Sequence, residues 1–237
     1  MRSRPFGTYS AGLMATAFTP AFLAFSLRAL AGCGAVPGSK PTERVARQAG
    51  SVPVAVARPE VRQCQAELGQ TGSRFSPLTD RFYGAGCSTT NSVSLQGVGG
   101  DRGEFTVTNL GAVACPLANT FAAWARYGVD RAARQILGSP LVRIETMGSY
   151  SCRNVAGTGR LSAHSRAEAI DVSAFVLADG RRISVLSGWN ASRQEREFLQ
   201  VIHKSACKRF GTVLGPDYNR AHHDHFHLEH GTGSFCR

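Results

Sequence analysis

Residues 221–230 read Ala-His-His-Asp-His-Phe-His-Leu-Glu-His and hold five of the chain's seven histidines. Imidazoles at that density bind metal, carry protons or form a solvated strip. A purification tag, another reading of such a run, would not place Phe226 and Leu228 at alternate positions. The alternation predicts a half-buried β-strand over Ala221–Glu229. Side chains repeat every two residues along a strand, so His223, His225, His227 and Glu229 are expected on one face. Asp224, Phe226 and Leu228 are expected on the other. Two imidazoles two residues apart on one face converge on one volume. That suits a metal ligand beside an acid, a base or an anion-stabilising group, although a His-x-His pair alone is a weak signal.

A second stretch with chemistry is Ser162-Ala163-His164-Ser165-Arg166-Ala167-Glu168-Ala169-Ile170-Asp171. It runs into a strand pattern over Ile170–Leu177, an Asp179-Gly180 turn and a return strand at Ile183-Ser184-Val185. His164 then lies on a loop and Asp171 just inside the strand. A catalytic zinc site needs about three protein donors and an open position for water. His164, Asp171 and His227 supply two imidazoles and a carboxylate. Otherwise His164 is a loop histidine and Asp171 a strand-end carboxylate accepting backbone donors.

The spacing His164-x6-Asp171 with a distant His225-x-His227 resembles the zinc peptidases of the lysostaphin, D-Ala-D-Ala peptidase and hedgehog group. These share a Ser-x-His-x-x-Gly-x-Ala-x-Asp segment and a terminal His-x-His. Ser162, His164, Ala169 and Asp171 match the segment, and Ala167 stands where the group has glycine. More closely, Gly148–Arg153, Leu161–Phe175, Phe210–Pro216 and His225–Leu228 resemble the bacterial extensin-like C-terminal family, over roughly Cys64 to Arg237. The resemblance to the peptidases implies Zn²⁺ held by His164, Asp171 and His227. It also implies that Arg153, beyond Tyr150, polarises the substrate carbonyl or holds a carboxylate; an exposed structural arginine is the alternative. His225 is the first candidate for proton acceptor. Asp224 is the second, because a regular strand turns it away, and there it would orient an imidazole from behind. His223 and His230 are expected at the rim, and His203, on a helix, at the surface or in packing.

Two amphipathic helices and several short strands must position these residues. Cys115-Pro116 to Ile136 has Leu117, Phe121, Trp124 and Ala125 at helical spacing, with Gly138 as the stop. Ser192 and Glu195 form a capping box before Phe198, Leu199, Ile202, Ala206 and Phe210, and Gly211 ends that helix. Short strands and turns are expected from Cys64 to Gly111, with Gly97-Val98-Gly99-Gly100 as a turn. Further strands are expected at Glu104–Thr108, Leu141–Met147 and Thr212–Leu214. The fold class is α+β: an antiparallel sheet carrying the His/Asp/His site, helices on its opposite face, and disulfides as braces.

The N-terminus predicts export. Arg2 and Arg4 precede an uncharged apolar run, Leu13–Leu27, and Leu30-Ala31-Gly32-Cys33 resembles a lipoprotein cleavage site. Residues 1–32 are read as signal peptide, Cys33 as the lipidation site anchoring the protein to the membrane, 33–60 as a Pro-containing flexible tether and 61–237 as the domain. Cleavage near Ala31 with Cys33 left spare is the alternative. Cys64, Cys87, Cys115, Cys152, Cys207 and Cys236 suit up to three disulfides of an oxidising compartment, whose pairing the sequence leaves open. The formal net charge of +11 favours anionic partners. Peptidoglycan or another anionic wall polymer fits a protein of the periplasm or cell envelope, and export argues against nucleic acid. A monomer is expected. The leading expectation is a zinc-dependent peptidase acting on peptidoglycan peptides; a non-catalytic envelope-binding or structural lipoprotein is the other.

Overall fold

The computed structural model describes residues 58–237, so the expected signal peptide, Cys33 and most of the expected tether lie outside the described residues. The described chain opens with a helix, α1 (Pro59–Gln70), which takes in the last two residues of the expected tether and replaces the short strands expected from Cys64. Proline suits a first turn because its missing N–H is one that no helix bonds, and Glu60 faces the positive end of the helix dipole. Only Cys64 and Leu68 are buried. Two inward positions in twelve residues leave too faint a period to read from sequence.

The strands that follow are β1 (Arg74–Pro77), β2 (Arg81–Gly84), β3 (Cys87–Thr89), β4 (Ser92–Gly99), β5 (Glu104–Thr108) and β6 (Ala112–Ala114). Helix α2 (Cys115–Trp124) continues through the wider π-helical segments Ala125–Asp130 and Ala133–Leu137 and stops at Gly138, whose φ of +73° glycine adopts freely. Then come β7 (Leu141–Gly148), β8 (Ala169–Leu177) and β9 (Arg182–Ser184). The chain finishes with α3 (Val185–Gly188), α4 (Arg193–Cys207), β10 (Thr212–Leu214), β11 (Phe226–Glu229) and β12 (Phe235–Cys236).

One ten-stranded sheet runs β1-β4-β5-β7-β8-β11-β10-β12, with β6 beside β4 and β9 beside β8; β2 and β3 pair separately. The expected antiparallel sheet is in fact mixed. β5 runs parallel to β7 and β10 parallel to β12. The first of these follows from the α2 segment between β5 and β7, since parallel neighbours need a crossover connection. The expected turn at Gly97–Gly100 is mostly strand: Gly97 and Gly99 lie in β4, and a Cβ on Gly99 would stand 2.7 Å from the Thr71 carbonyl oxygen. Glycine is there for close approach of backbones rather than for a turn.

Helices α2 and α4 pack against β8 of the sheet through large aromatic side chains. Trp124, Phe175, Phe198 and Phe226 are fully buried. Phe175 meets the rings of Trp124 at 6.3 Å and Phe198 at 5.5 Å, both edge to face. Trp124 Nε1–H donates to the Ile202 carbonyl at 3.0 Å and ties the α2 run to α4. Ser192 caps α4 by accepting the Glu195 N–H at 3.4 Å. Because side chains alternate along β8 and β11, Val172 and Phe226 enter this core while Asp171 and His227 face the other way.

The six domain cysteines form Cys64–Cys115, Cys87–Cys152 and Cys207–Cys236. The first joins α1 to the start of α2. The second joins the β2–β3 hairpin to the loop after β7, which leads toward His164. Replacing both Cys87 and Cys152 by serine is expected to cost about 2–5 kcal/mol of stability, measured by denaturant unfolding, because it frees a loop closed over 65 residues.

Candidate metal centre

The site is set by strand register. β11 runs antiparallel to β8 with His227 directly opposite Asp171. The third residue arrives from a loop: Ser162 starts a short 3-10 turn, Ala163–Arg166, and accepts the His164 N–H with its hydroxyl at 3.4 Å. The turn is closed by Ala167 in the left-handed conformation, φ +56°. This is the position where the sequence segment departs from glycine. Alanine holds the same backbone there at a steric cost of about 1–2 kcal/mol, so the loop keeps its shape.

His164 Nε2 lies 3.1 Å from Asp171 Oδ2 and 3.2 Å from His227 Nδ1, and His227 Nδ1 lies 2.8 Å from Asp171 Oδ1. Donors at about 2.0–2.1 Å from a tetrahedral cation stand about 3.3 Å apart. The three atoms are therefore close to the spacing that a small divalent cation requires, and these residues could hold one. The side chains of His164 and His227 are 3% and 7% exposed, and that of Asp171 is 13% exposed.

The tautomers follow from the groups behind the rings. The Ser149 carbonyl can only accept, so His164 donates from Nδ1 at 2.5 Å and leaves a lone pair on Nε2. Glu229 accepts from His227 Nε2 at 2.8 Å and leaves the metal-facing position on Nδ1. Acceptors behind each imidazole are the usual outer support of metal-bound histidine. Two lone pairs and a carboxylate brought this close repel unless something positive lies between them. In the metal-free protein that is a proton on His227. Burial disfavours its imidazolium, but the carboxylates of Asp171 and Glu229 outweigh burial and push its pKa up to about 9. Burial would raise the Asp171 carboxyl, yet the His164 and His227 imidazoles against it hold it well below the usual carboxylate range. Glu229 is lowered chiefly by the hydrogen bond from His227.

The expected strand over Ala221–Glu229 is shorter than its pattern. Asn219 accepts the Ala221 N–H and starts a 3-10 turn, Arg220–His222, and β11 begins only at Phe226. His223 is consequently exposed, with Nδ1 donating to the Arg220 carbonyl, and does not share the face of His227. His225 precedes the strand but still turns inward. Its Nε2 lies 3.5 Å from Asp171 Oδ1, and its Nδ1–H donates to Asp224 Oδ1 at 2.8 Å. Asp224, lowered mainly by that bond, thus fixes the ring with an Nε2 lone pair toward the three donors. His230 is exposed.

His222 has no signal in the two-residue period, yet its ring lies 5.2 Å from His225 and 5.6 Å from His227. Burial and the neighbouring imidazoles lower its pKa to about 4, and it donates from Nδ1 to Asn219 Oδ1 at 2.7 Å. The Asn219-Arg220-Ala221-His222 cap was the available clue. Arg153 is exposed, and its guanidinium forms no ion pair among the described residues. Its carbonyl accepts the Ser162 N–H at 3.0 Å, which puts it beside the His164 loop, and its charge disfavours protonation of His222. A second grouping, His203 with Cys207 and Cys236, has both sulfurs tied in a disulfide. His203 packs against Trp189 and Phe226, in keeping with a packing role.

In comparison with known proteins, residues 62–237 match the family model described as Extensin-like protein C-terminus. No curated protein and no solved structure matches the chain.

The His227 pKa, above its ordinary 6.5, means that the ring's contribution to metal-free stability is complete below pH 6.5 and is lost as pH rises through about 9. Thermal melts in chelator should lose stability across that interval, and His227→Gln should flatten the loss. Divalent cation competes with the same proton, so its affinity should rise with pH over the same range. Removing the support behind the ring by Glu229→Ala should weaken cation binding about 10–100-fold in a calorimetric titration.

Proposed function

The chain belongs to the extensin-like C-terminal family, and from the geometry of its three donors we propose that it is a zinc-dependent peptidase acting on peptidoglycan peptides in the cell envelope. The observation that carries the reading is the meeting of His164 Nε2, Asp171 and His227 Nδ1 in one pocket, with the opposite nitrogen of each ring already donating to an acceptor. Two imidazoles, one carboxylate and no sulfur suit zinc with a coordination position left for water or substrate. The resemblance of Ser162–Asp171 and His225–His227 to the lysostaphin, D-Ala-D-Ala peptidase and hedgehog group points to the same use. The φ of Ala167 supports that likeness, since a left-handed residue is what the group's glycine would provide.

Zinc bound there would lower the pKa of its water toward neutrality and draw electron density from a peptide carbonyl. The protein's own part is to receive and return the proton. His225 is the acceptor: its Nε2 faces the donors while Asp224 holds its Nδ1–H and stabilises the imidazolium that forms. The same Nε2–H then donates to the leaving amine. Arg153, exposed beside the His164 loop, is placed on our reading to meet a substrate carbonyl or carboxylate with its fork of donors. Export through residues 1–32, a lipid anchor at Cys33 and a tether to residue 60 would put the site within reach of the wall, and the chain's positive charge suits its anionic polymers.

Digestion of purified muropeptides tests the reading. The zinc-loaded protein should cleave a peptide bond, and chelator should abolish cleavage reversibly. His225→Ala should lower kcat by about 10²–10⁴ without loss of bound zinc. Zinc bound tightly with no cleavage of any muropeptide would contradict the peptidase reading and leave an envelope-binding module.

A further inference from the structure

A groove of about 380 Å³ lies next to the residues that support the three donors, though none of the donors lines it. The link is Ser149, which lines the groove and whose carbonyl accepts the His164 Nδ1–H. Met147, at a bulge of β7 opposite Asp171, also lines it and is 52% exposed. The far wall is the β2–β3 hairpin. Its Tyr83 ring lies 4.9 Å from that of Tyr150, tilted by 31°, so the two rings form one continuous aromatic surface.

This wall is built in rather than draped over the site. Cys87 binds the hairpin to Cys152, two residues beyond Tyr150. Gly86, at φ +82°, lets the hairpin turn press on Leu161, where a Cβ would stand 2.7 Å from Leu161 Cδ1. Leu161 in turn precedes the loop that presents His164. The aromatic surface is therefore fastened by a disulfide and by packing to the segment that leads into a metal-ligand loop.

The lining presents the exposed Asn109 amide and the two tyrosine hydroxyls beside the apolar surface of Met147, while the hydroxyls of Thr89 and Ser149 are buried behind them and bonded to Tyr83 and to the Ala167 carbonyl. It has no carboxylate, lysine, arginine or histidine. A charged peptide terminus or acidic side chain would find no countercharge there. A ligand with apolar C–H faces and uncharged hydroxyl and amide edges would fit: the faces against the rings, the edges against the polar groups. That describes an acetamido sugar. We propose that the groove is a saccharide subsite, which seats an N-acetylated sugar of a glycan strand beside the metal centre. The proposal rests on the peptidase reading only in taking a wall glycopeptide as the natural ligand.

The test uses the full chain freed of metal by chelator, so that no cleavage intervenes, and calorimetric titration with soluble peptide-free glycan strands and, separately, with free stem peptide. Strands should bind. Tyr150→Ala and Tyr83→Ala should each weaken that binding about 3- to 10-fold, Tyr150→Phe, which keeps the ring and loses only the hydroxyl, should weaken it less than Tyr150→Ala, and melting temperatures should report that the variants are folded. Failure of the strands to bind, binding indifferent to both alanine variants, or stem-peptide binding with the same tyrosine dependence would overturn the proposal. Strand binding that follows the tyrosines in a protein that cleaves nothing would sink only the peptidase reading. Cleavage of muropeptides without strand binding would sink only the subsite.

Discussion

Repulsion among three electron-rich groups is the constraint on which the site depends. The Asp171 carboxylate and the inward nitrogens of His164 and His227 are held 2.8–3.2 Å apart in a largely water-excluded pocket. Left uncompensated, such an arrangement would cost several kcal/mol. A fold keeps it only if a positive charge belongs there. A proton can serve, and the raised pKa of His227 says that it does so in the metal-free protein. Behind each ring, Ser149 and Glu229 prevent the imidazoles from relaxing by turning their lone pairs away.

The architecture maintains that tension. The β8–β11 register sets two of the donors, and a slip of one residue would send His227 into the core and bring Phe226 or Leu228 to the site. That slip is opposed by Phe226 and Leu228, both fully buried, with Phe226 packed on Trp189 and His203. The third donor depends on the His164 turn, which the Ser149 carbonyl receives at the end of β7. Of the disulfides, Cys87–Cys152 acts nearest the site, and the other two brace the helix α1 and the C-terminal strand.

Much of this was legible in the chain. His164, Asp171 and His227 were readable as a set because strand alternation and the likeness to a peptidase segment agreed. Both long helices were readable because Phe198, Leu199, Ile202 and Ala206, like Leu117, Phe121 and Trp124, mark one face each; Gly138 stops the first, but α4 ends at Cys207, short of Phe210 and of the stop expected at Gly211. What escaped has physical reasons. α1 buries two residues and so lacks a period. The parallel pairing of β5 with β7 is a non-local choice that no single strand encodes. The run before Phe226 alternates like a strand, but the Asn219 cap bends it into a 3-10 turn, and this exposes His223, turns His225 inward and brings His222 close. Glu229 was visible as a neighbour two residues from a ligand, yet its service to His227 Nε2 needed the ring orientation. The disulfide pairing could not be read at all, since six cysteines in sequence carry no distances.

The central claim, that these three side chains form one cation site, is tested most directly by the ligand shell itself. Zinc K-edge absorption of the protein loaded with one equivalent should report two imidazoles and oxygen donors at about 2.0–2.2 Å, with the imidazole signature reduced to one ring in His164→Ala. A shell containing sulfur near 2.3 Å, or one of oxygen alone that is indifferent to His164→Ala, would contradict it.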